Sequence, residues 1–207
     1  MSTLQITGGR VLRPDMTVRE ADVLADRETG RIVAIGDTAT GDETLDASGC
    51  LVTPGLVNPH CHVAMTLLRG YADDKPLDAW LQEDIWPVEA ALETEDIAAG
   101  TRLGAVELLK NGVTAVGDMY FEMPTVAEVI EAAGLRARIG HGIVTVGKDD
   151  ATARADFEEG LEVARELDGA ADGRIQTALM PHSLTTADPE LLEEFVPRDR
   201  DAGGPLH

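Results

Sequence analysis

The sequence predicts an α/β protein in which a small all-β segment precedes a series of parallel βαβ units. Three observations carry that expectation: short apolar runs broken by turn residues near the N-terminus, alternating strand and helix patterns from residue 51 onward, and two histidines where the first long apolar strand ends. Residues 4–6, 11–12, 21–25 and 31–35 read as short strands separated by Gly8-Gly9, Pro14 and Gly30. Residues 51–58 form an apolar run holding Pro54 and Gly55, which suits a buried strand with a kinked start. Helical spacing over 95–110 stops at Asn111-Gly112, a buried strand follows at 113–119, and a helix over 123–133 has Gly134 as its C-cap. A strand at 137–144, a helix over 151–167, a strand at 175–180 and a helix over 189–202 complete the series. Such alternation builds either a barrel or a doubly wound sheet. The second is disfavoured, because a glycine-rich phosphate loop normally follows its first strand and here that position holds His60 and His62. The longest interruption, residues 63–88, is expected to be a functional loop. Residues 203–207 look like a turn leading into a further strand, so the sequence is expected to stop inside a core strand of a longer fold.

Composition narrows the partners. The 207 residues are 43% hydrophobic, enough for a sizeable core. Asp plus Glu total 38 against 17 Lys plus Arg, a net charge of −21 whose field repels nucleic acids and anionic membranes. The only lysines are Lys75, Lys110 and Lys148. Dense carboxylates with arginine as the main cation fit a salt-adapted cytoplasm, where salt screens the mutual repulsion. Cys50 and Cys61 cannot build a disulfide framework, and no apolar run reaches the roughly 18 residues of a membrane span. A soluble, cytoplasmic protein is expected.

The chemistry concentrates in His60-Cys61-His62. Side chains at i and i+2 of a strand share a side, so both imidazoles can converge on one metal ion while Cys61 faces away. The C-terminal end of a parallel strand is also where α/β barrels place their sites. Neutral imidazole nitrogen suits zinc or iron.

The segment Pro54-Gly55-Leu56-Val57-Asn58-Pro59-His60-Cys61-His62, followed by Met65-Thr66-Leu67-Leu68-Arg69-Gly70, resembles the opening of the amidohydrolase superfamily. More narrowly, it is similar to the methylthioadenosine/S-adenosylhomocysteine deaminase and chlorohydrolase group. Asp73-Asp74, Leu77, Trp80-Leu81, Trp86-Pro87, Glu89, Gly117-Asp118-Met119-Tyr120 and Pro181-His182-Ser183 extend the likeness over nearly the whole chain. The resemblance implies a partial (β/α)8 TIM-type barrel preceded by a small β-sandwich segment. Residues 1–54 would be the N-terminal part of that sandwich, and 55–207 the first half of a metal-dependent hydrolase barrel, cut at the fifth strand. It also implies one divalent metal, zinc before iron, on His60 and His62, and a purine nucleoside whose amino group leaves as ammonia.

Further roles follow from the resemblance. Glu89 would bind the ribose hydroxyls, against a competing role as a solvated acid at a helix N-terminus. Trp80 would wall the purine, against plain core packing, and His182 would contact substrate, against a loop or capping role. Asp118 is as well explained by structural hydrogen bonding as by the site, and Asp149-Asp150 and Glu158-Glu159 read as solvated surface. His141 stands where some members that accept S-adenosylhomocysteine carry an arginine, with Arg154 as the alternative cation. Methylthioadenosine, 5′-deoxyadenosine or adenosine is therefore favoured. Another amidohydrolase, such as a chlorohydrolase or a guanine or aminoheterocycle deaminase, is the rival enzyme. A non-catalytic remnant or assembly half is the rival outside enzymes.

By this resemblance His207 matches a histidine just before the third metal ligand, so the general acid and base would lie beyond residue 207. The chain would be an incomplete, inactive fragment whose open sheet edges call for a partner, either a second copy or a C-terminal half. The purified 207-residue chain at high salt is expected to release no ammonia from methylthioadenosine. Detectable, metal-dependent release would overturn that expectation.

Overall fold

A computed structural model describes residues 2–37, 40–201 and 204–207. The chain divides into two compact units, Met1–Gly55 and Leu56–His207.

The first unit holds seven short strands: β1 (Thr3–Thr7), β2 (Arg10–Leu12), β3 (Val18–Glu20), β4 (Asp22–Asp26), β5 (Arg31–Gly36), β6 (Glu43–Asp46) and β7 (Leu51–Val52). They form a four-stranded sheet of order β5-β4-β1-β6 and a three-stranded sheet of order β3-β2-β7. Gly8 and Gly30 turn the chain with φ of 72° and 66°, the left-handed region that glycine enters without strain. Strands β3 and β6 escape a reading by hydrophobic pattern, since every residue in them is exposed. The predicted single strand over 51–58 is two strands. Pro54, which has no N–H to donate, interrupts it, and β7 pairs with β2 while the next strand belongs to the second unit.

The second unit is a parallel sheet of β8 (Leu56–Cys61), β9 (Val113–Tyr120), β10 (Arg136–Ile143) and β11 (Ile175–Thr177), joined in the order β11-β10-β9-β8. A two-residue strand, β12 (Met180–Pro181), continues the pairing with β10. The predicted strand over 175–180 thus breaks at Ala178, whose carbonyl oxygen sits where a side chain on Gly140 would have to be. As an edge strand, β8 leaves Leu56 and Val57 59% and 65% exposed, against the buried strand expected.

Residues 63–88 are not an irregular loop. They contain a 3-10 turn at Val63–Leu68, then helix α1 (Leu77–Ala79), a π turn at Trp80–Ile85 and helix α2 (Trp86–Glu89). In the π turn the Trp86 N–H reaches Leu81 O, five residues back. Pro87 accounts for the wide turn: it cannot donate and its ring crowds the carbonyl four residues before it, so widening relieves the clash. Gly70 and Pro76 break the periodicity on the N-terminal side, which hides these helices from sequence reading.

The outer helices match the sequence pattern closely. Helix α3 (Thr94–Lys110) starts where the Glu93 N–H donates to Asp96 Oδ2 at 2.9 Å. Helix α4 (Met123–Ala133) ends on Gly134 at φ 76°. Helix α5 (Asp150–Glu166) is capped by Asp149, which accepts from Thr152 N at 2.8 Å, so Asp149 has a structural role rather than being simple solvated surface. A short turn, α6 (Ala170–Gly173), precedes β11, and α7 (Pro189–Asp201) closes the series. The expected continuation to Ala202 and the turn residue Gly203 lie outside the described residues.

One core cluster joins Ile97 and Ala105 of α3, Val126 and Ile130 of α4, and Val116 and Ile139 of the sheet. A second, around Phe157 and Phe195 with ring centroids 4.9 Å apart, joins α5 to α7. Two glycines on α3 bear directly on the site: a methyl group on Gly100 would overlap the Ala64 carbonyl oxygen, and one on Gly104 would meet Val63 Cγ1 at 2.5 Å. Their missing side chains let the 3-10 turn after His62 lie on the helix. No described helix is long and apolar enough to cross a membrane.

Gly100→Ala should therefore destabilise the protein by about 1–3 kcal/mol through overpacking, although alanine is favoured by about 1 kcal/mol in a free helix. Urea unfolding checks this. A midpoint equal to or above that of the parent would show that the turn is not held by this close approach.

Candidate functional site

The site begins with the pairing of β8 and β9, which sets Cys61 opposite Asp118. Alternation turns Cys61 inward, where its Sγ lies 3.3 Å from Gly117 O. Burial, then the Asp118 carboxylate, push the thiol far above its ordinary range, so Cys61 is no thiolate ligand. His62 Nδ1 lies 2.6 Å from Met119 O. A carbonyl can only accept, so Nδ1 carries a hydrogen, and in the neutral form of the ring the lone pair is then on Nε2. That is the arrangement in which a metal-binding imidazole is oriented by a backbone carbonyl.

The His60 and His62 rings stand 5.2 Å apart, centroid to centroid, at 76°. With metal–nitrogen bonds of about 2.1 Å, two imidazoles on adjacent tetrahedral vertices have centroids roughly 5 Å apart, so the pair fits a divalent ion. His207 stacks on His60 at 5.8 Å and 20°. Asp118 is wholly buried, and its Oδ1 accepts from Val63 N at 2.9 Å. Burial pushes its carboxyl up to about 6, against the opposing pull of that bond. That bond fixes the residue that follows His62.

Beside the histidines lies a cavity of about 220 Å³ at the C-terminal ends of β9 and β10. His62, Trp80, Glu89 and His182, four residues singled out from the sequence, all line it. The Trp80 Nε1–H donates to Ala72 O at 3.2 Å, so the indole's polar need is met by the backbone. Glu89 ends α2, and its Oε1 accepts from the Tyr120 hydroxyl at 2.7 Å. Burial raises the Glu89 carboxyl, and the Tyr120 bond and nearby His62 pull it part of the way back. This is a partly buried, hydrogen-bonded acid rather than a solvated one. His182 follows β12 and its Nδ1 lies 2.8 Å from Thr186 Oγ1. Burial, then His62 and His60, hold it below the ordinary imidazole range.

Other residues go elsewhere. His60 adjoins His62 but is not part of the cavity wall. His141 turns toward α5, where Nε2 lies 3.1 Å from Asp156 Oδ1 and Nδ1 lies 3.4 Å from Glu159 Oε1. Burial raises the Asp156 carboxyl, but His141 and Lys148 outweigh it and hold the group below its usual range. Arg154 pairs with Asp150 and Glu194 at 3.1 and 2.7 Å. Glu158, read as solvated, binds Arg198 through both oxygens at 2.8 and 2.9 Å.

Sequence reasoning gave no site role to Tyr120, Phe121, Trp86 or Val144, which also line the cavity. A signal existed for Tyr120 and Val144, since both stand at or just beyond the C-terminal end of a parallel strand.

Comparison with known proteins shows which family this chain is similar to. The Amidohydrolase family pattern matches residues 51–207. A Natronomonas pharaonis protein named 5-methylthioadenosine/S-adenosylhomocysteine deaminase is 81% identical over 207 residues, covering 100% of this chain and 48% of that protein. A Methanosarcina acetivorans protein named 5′-deoxyadenosine deaminase is 43% identical over 182 residues, 87% of this chain and 42% of its own length. The crystal structure of an adenosine deaminase from Xanthomonas campestris with bound zinc superposes with a TM-score of 0.85 at 34% identity, covering 100% of this chain and 48% of that one. The chain spans about half the length of the curated relatives it matches. With the family pattern running through both histidines and the whole cavity wall, the chain belongs to the amidohydrolase family.

Proposed function

We propose that this chain supplies the metal ligands and nucleoside-binding wall of a hydrolytic deaminase of adenosine-type nucleosides, built on the first half of a (β/α)8 barrel. The carrying observation is the cavity that gathers His62, Trp80, Glu89 and His182 at the strand ends. Support for the barrel comes from the strand order, which runs consecutively from β8 to β11 without the reversal that marks a doubly wound sheet. Support for the substrate class comes from the names that its relatives carry.

In this reading His60 and His62 hold one zinc ion, with iron as the alternative. When bound, the metal supplies an activated water for the purine carbon that bears the amino group. Trp80 walls the purine, His182 contacts it as a neutral imidazole, and Glu89 accepts from the ribose hydroxyls. Met65, Leu77, Leu81 and Trp86 make most of the remaining wall apolar. No Lys or Arg lines the cavity among the described residues. Adenosine, 5′-deoxyadenosine and methylthioadenosine therefore suit it better than a substrate with an amino-acid carboxylate, which needs a fixed cation. The open edge of β8 is where a second copy or a C-terminal half would complete the sheet.

A chimera in which this chain replaces the matched segment of the Natronomonas pharaonis relative tests the proposal. It should release ammonia from methylthioadenosine, and His60→Ala or His62→Ala should lower both zinc content and rate by more than about a hundredfold. A folded, zinc-loaded chimera that acts on guanine or a chlorinated triazine and on no adenosine nucleoside would sink the reading. So would full zinc content in the double alanine variant.

A further inference from the structure

One hydrogen bond ties the Glu89 carboxylate to the rest of the fold among the described residues. Its Oε1 accepts from the Tyr120 hydroxyl at 2.7 Å, and its carboxylate bonds to no other group among the described residues. The partners differ in rigidity. Tyr120 ends β9, is 3% exposed and belongs to the core cluster. Glu89 ends the helical segment that follows the π turn. The hydroxyl thus reaches from the fixed sheet to the segment carrying the acid.

An ionised carboxylate offers about four lone-pair positions. Tyr120 occupies one and leaves enough for two further hydroxyl donors, while stopping the group from rotating. A tyrosine hydroxyl fits this task where a second cation would not, since it orients the acid without neutralising it.

We infer that Tyr120 is a positioning residue for Glu89, and that its hydroxyl sets the preference of the cavity for nucleosides with a vicinal 2′,3′-diol. This deepens the functional reading above and rests on its assignment of Glu89. The phenyl ring fills the core and the hydroxyl alone serves the acid, so Tyr120→Phe separates the two contributions.

The test uses the full chain at high salt. The only tryptophans, Trp80 and Trp86, both line the cavity, so intrinsic fluorescence reports occupancy directly. Adenosine and 2′,3′-dideoxyadenosine are titrated against the parent, Tyr120→Phe, Glu89→Gln and the double variant. The parent should prefer adenosine. Tyr120→Phe should reduce that preference about tenfold, the size expected for a hydrogen bond to a charged group. In the Glu89→Gln background the preference should already be gone, and Tyr120→Phe should change nothing more. If Glu89→Gln abolishes the preference and Tyr120→Phe keeps it, the positioning role falls and the functional reading stands. Equal loss of both ligands in Tyr120→Phe means a structural role and also overturns the inference. If the parent shows no preference, or Glu89→Gln retains it, the assignment of Glu89 itself fails and takes the inference with it.

Discussion

The carbonyl oxygen of Met119 is the point on which the site turns. It receives the His62 Nδ1 hydrogen at 2.6 Å, which satisfies a buried backbone acceptor and fixes which imidazole nitrogen is free. Its neighbours on β9 act in the same way. Asp118 receives the Val63 N–H and Tyr120 donates to Glu89, so three successive residues of one strand each give a polar group to a different part of the site. Folding the first βαβ unit and orienting the site are therefore one event. Any shift in the β8–β9 register would disturb all three contacts together.

Around that strand the packing is selective. Gly100 and Gly104 weaken α3 as an isolated helix, yet they let the turn after His62 approach its backbone. The acidic surface is managed by arginine more than by lysine. Arg198 grips Glu158 with both nitrogens and also lies 4.5 Å over the Phe195 ring, a pairing a point-like ammonium could not make. Lys75 instead bridges Glu83 and Asp84 within the π turn, helping to hold the helical segment over the cavity.

Much of this could be read in the sequence, for reasons that differ by element. Helices α3, α4 and α5 have apolar periodicity and end signals, and Gly134 marks its C-cap because only a left-handed residue fits there. The His60-Cys61-His62 alternation displays its geometry, since a strand has a period of two. Strands β3 and β6 were hidden because they bury nothing, and residues 77–89 because two prolines and a wide turn erase helical spacing. Tyr120 was hidden for another reason. Its ring reads as core, and its hydroxyl acquires meaning only when Glu89, thirty-one residues earlier, is seen beside it.

The π turn has one more consequence. A wide turn inserts one extra residue into the helical count, so every later side chain is rotated by about 100° from its place in an uninterrupted helix. Trp86 and Glu89 line the cavity in that shifted phase. This segment is thus bound to a fixed length between Trp80 and Glu89: losing a single residue, which an ordinary surface loop would absorb, would swing the carboxylate away from its tyrosine by nearly a third of a circle.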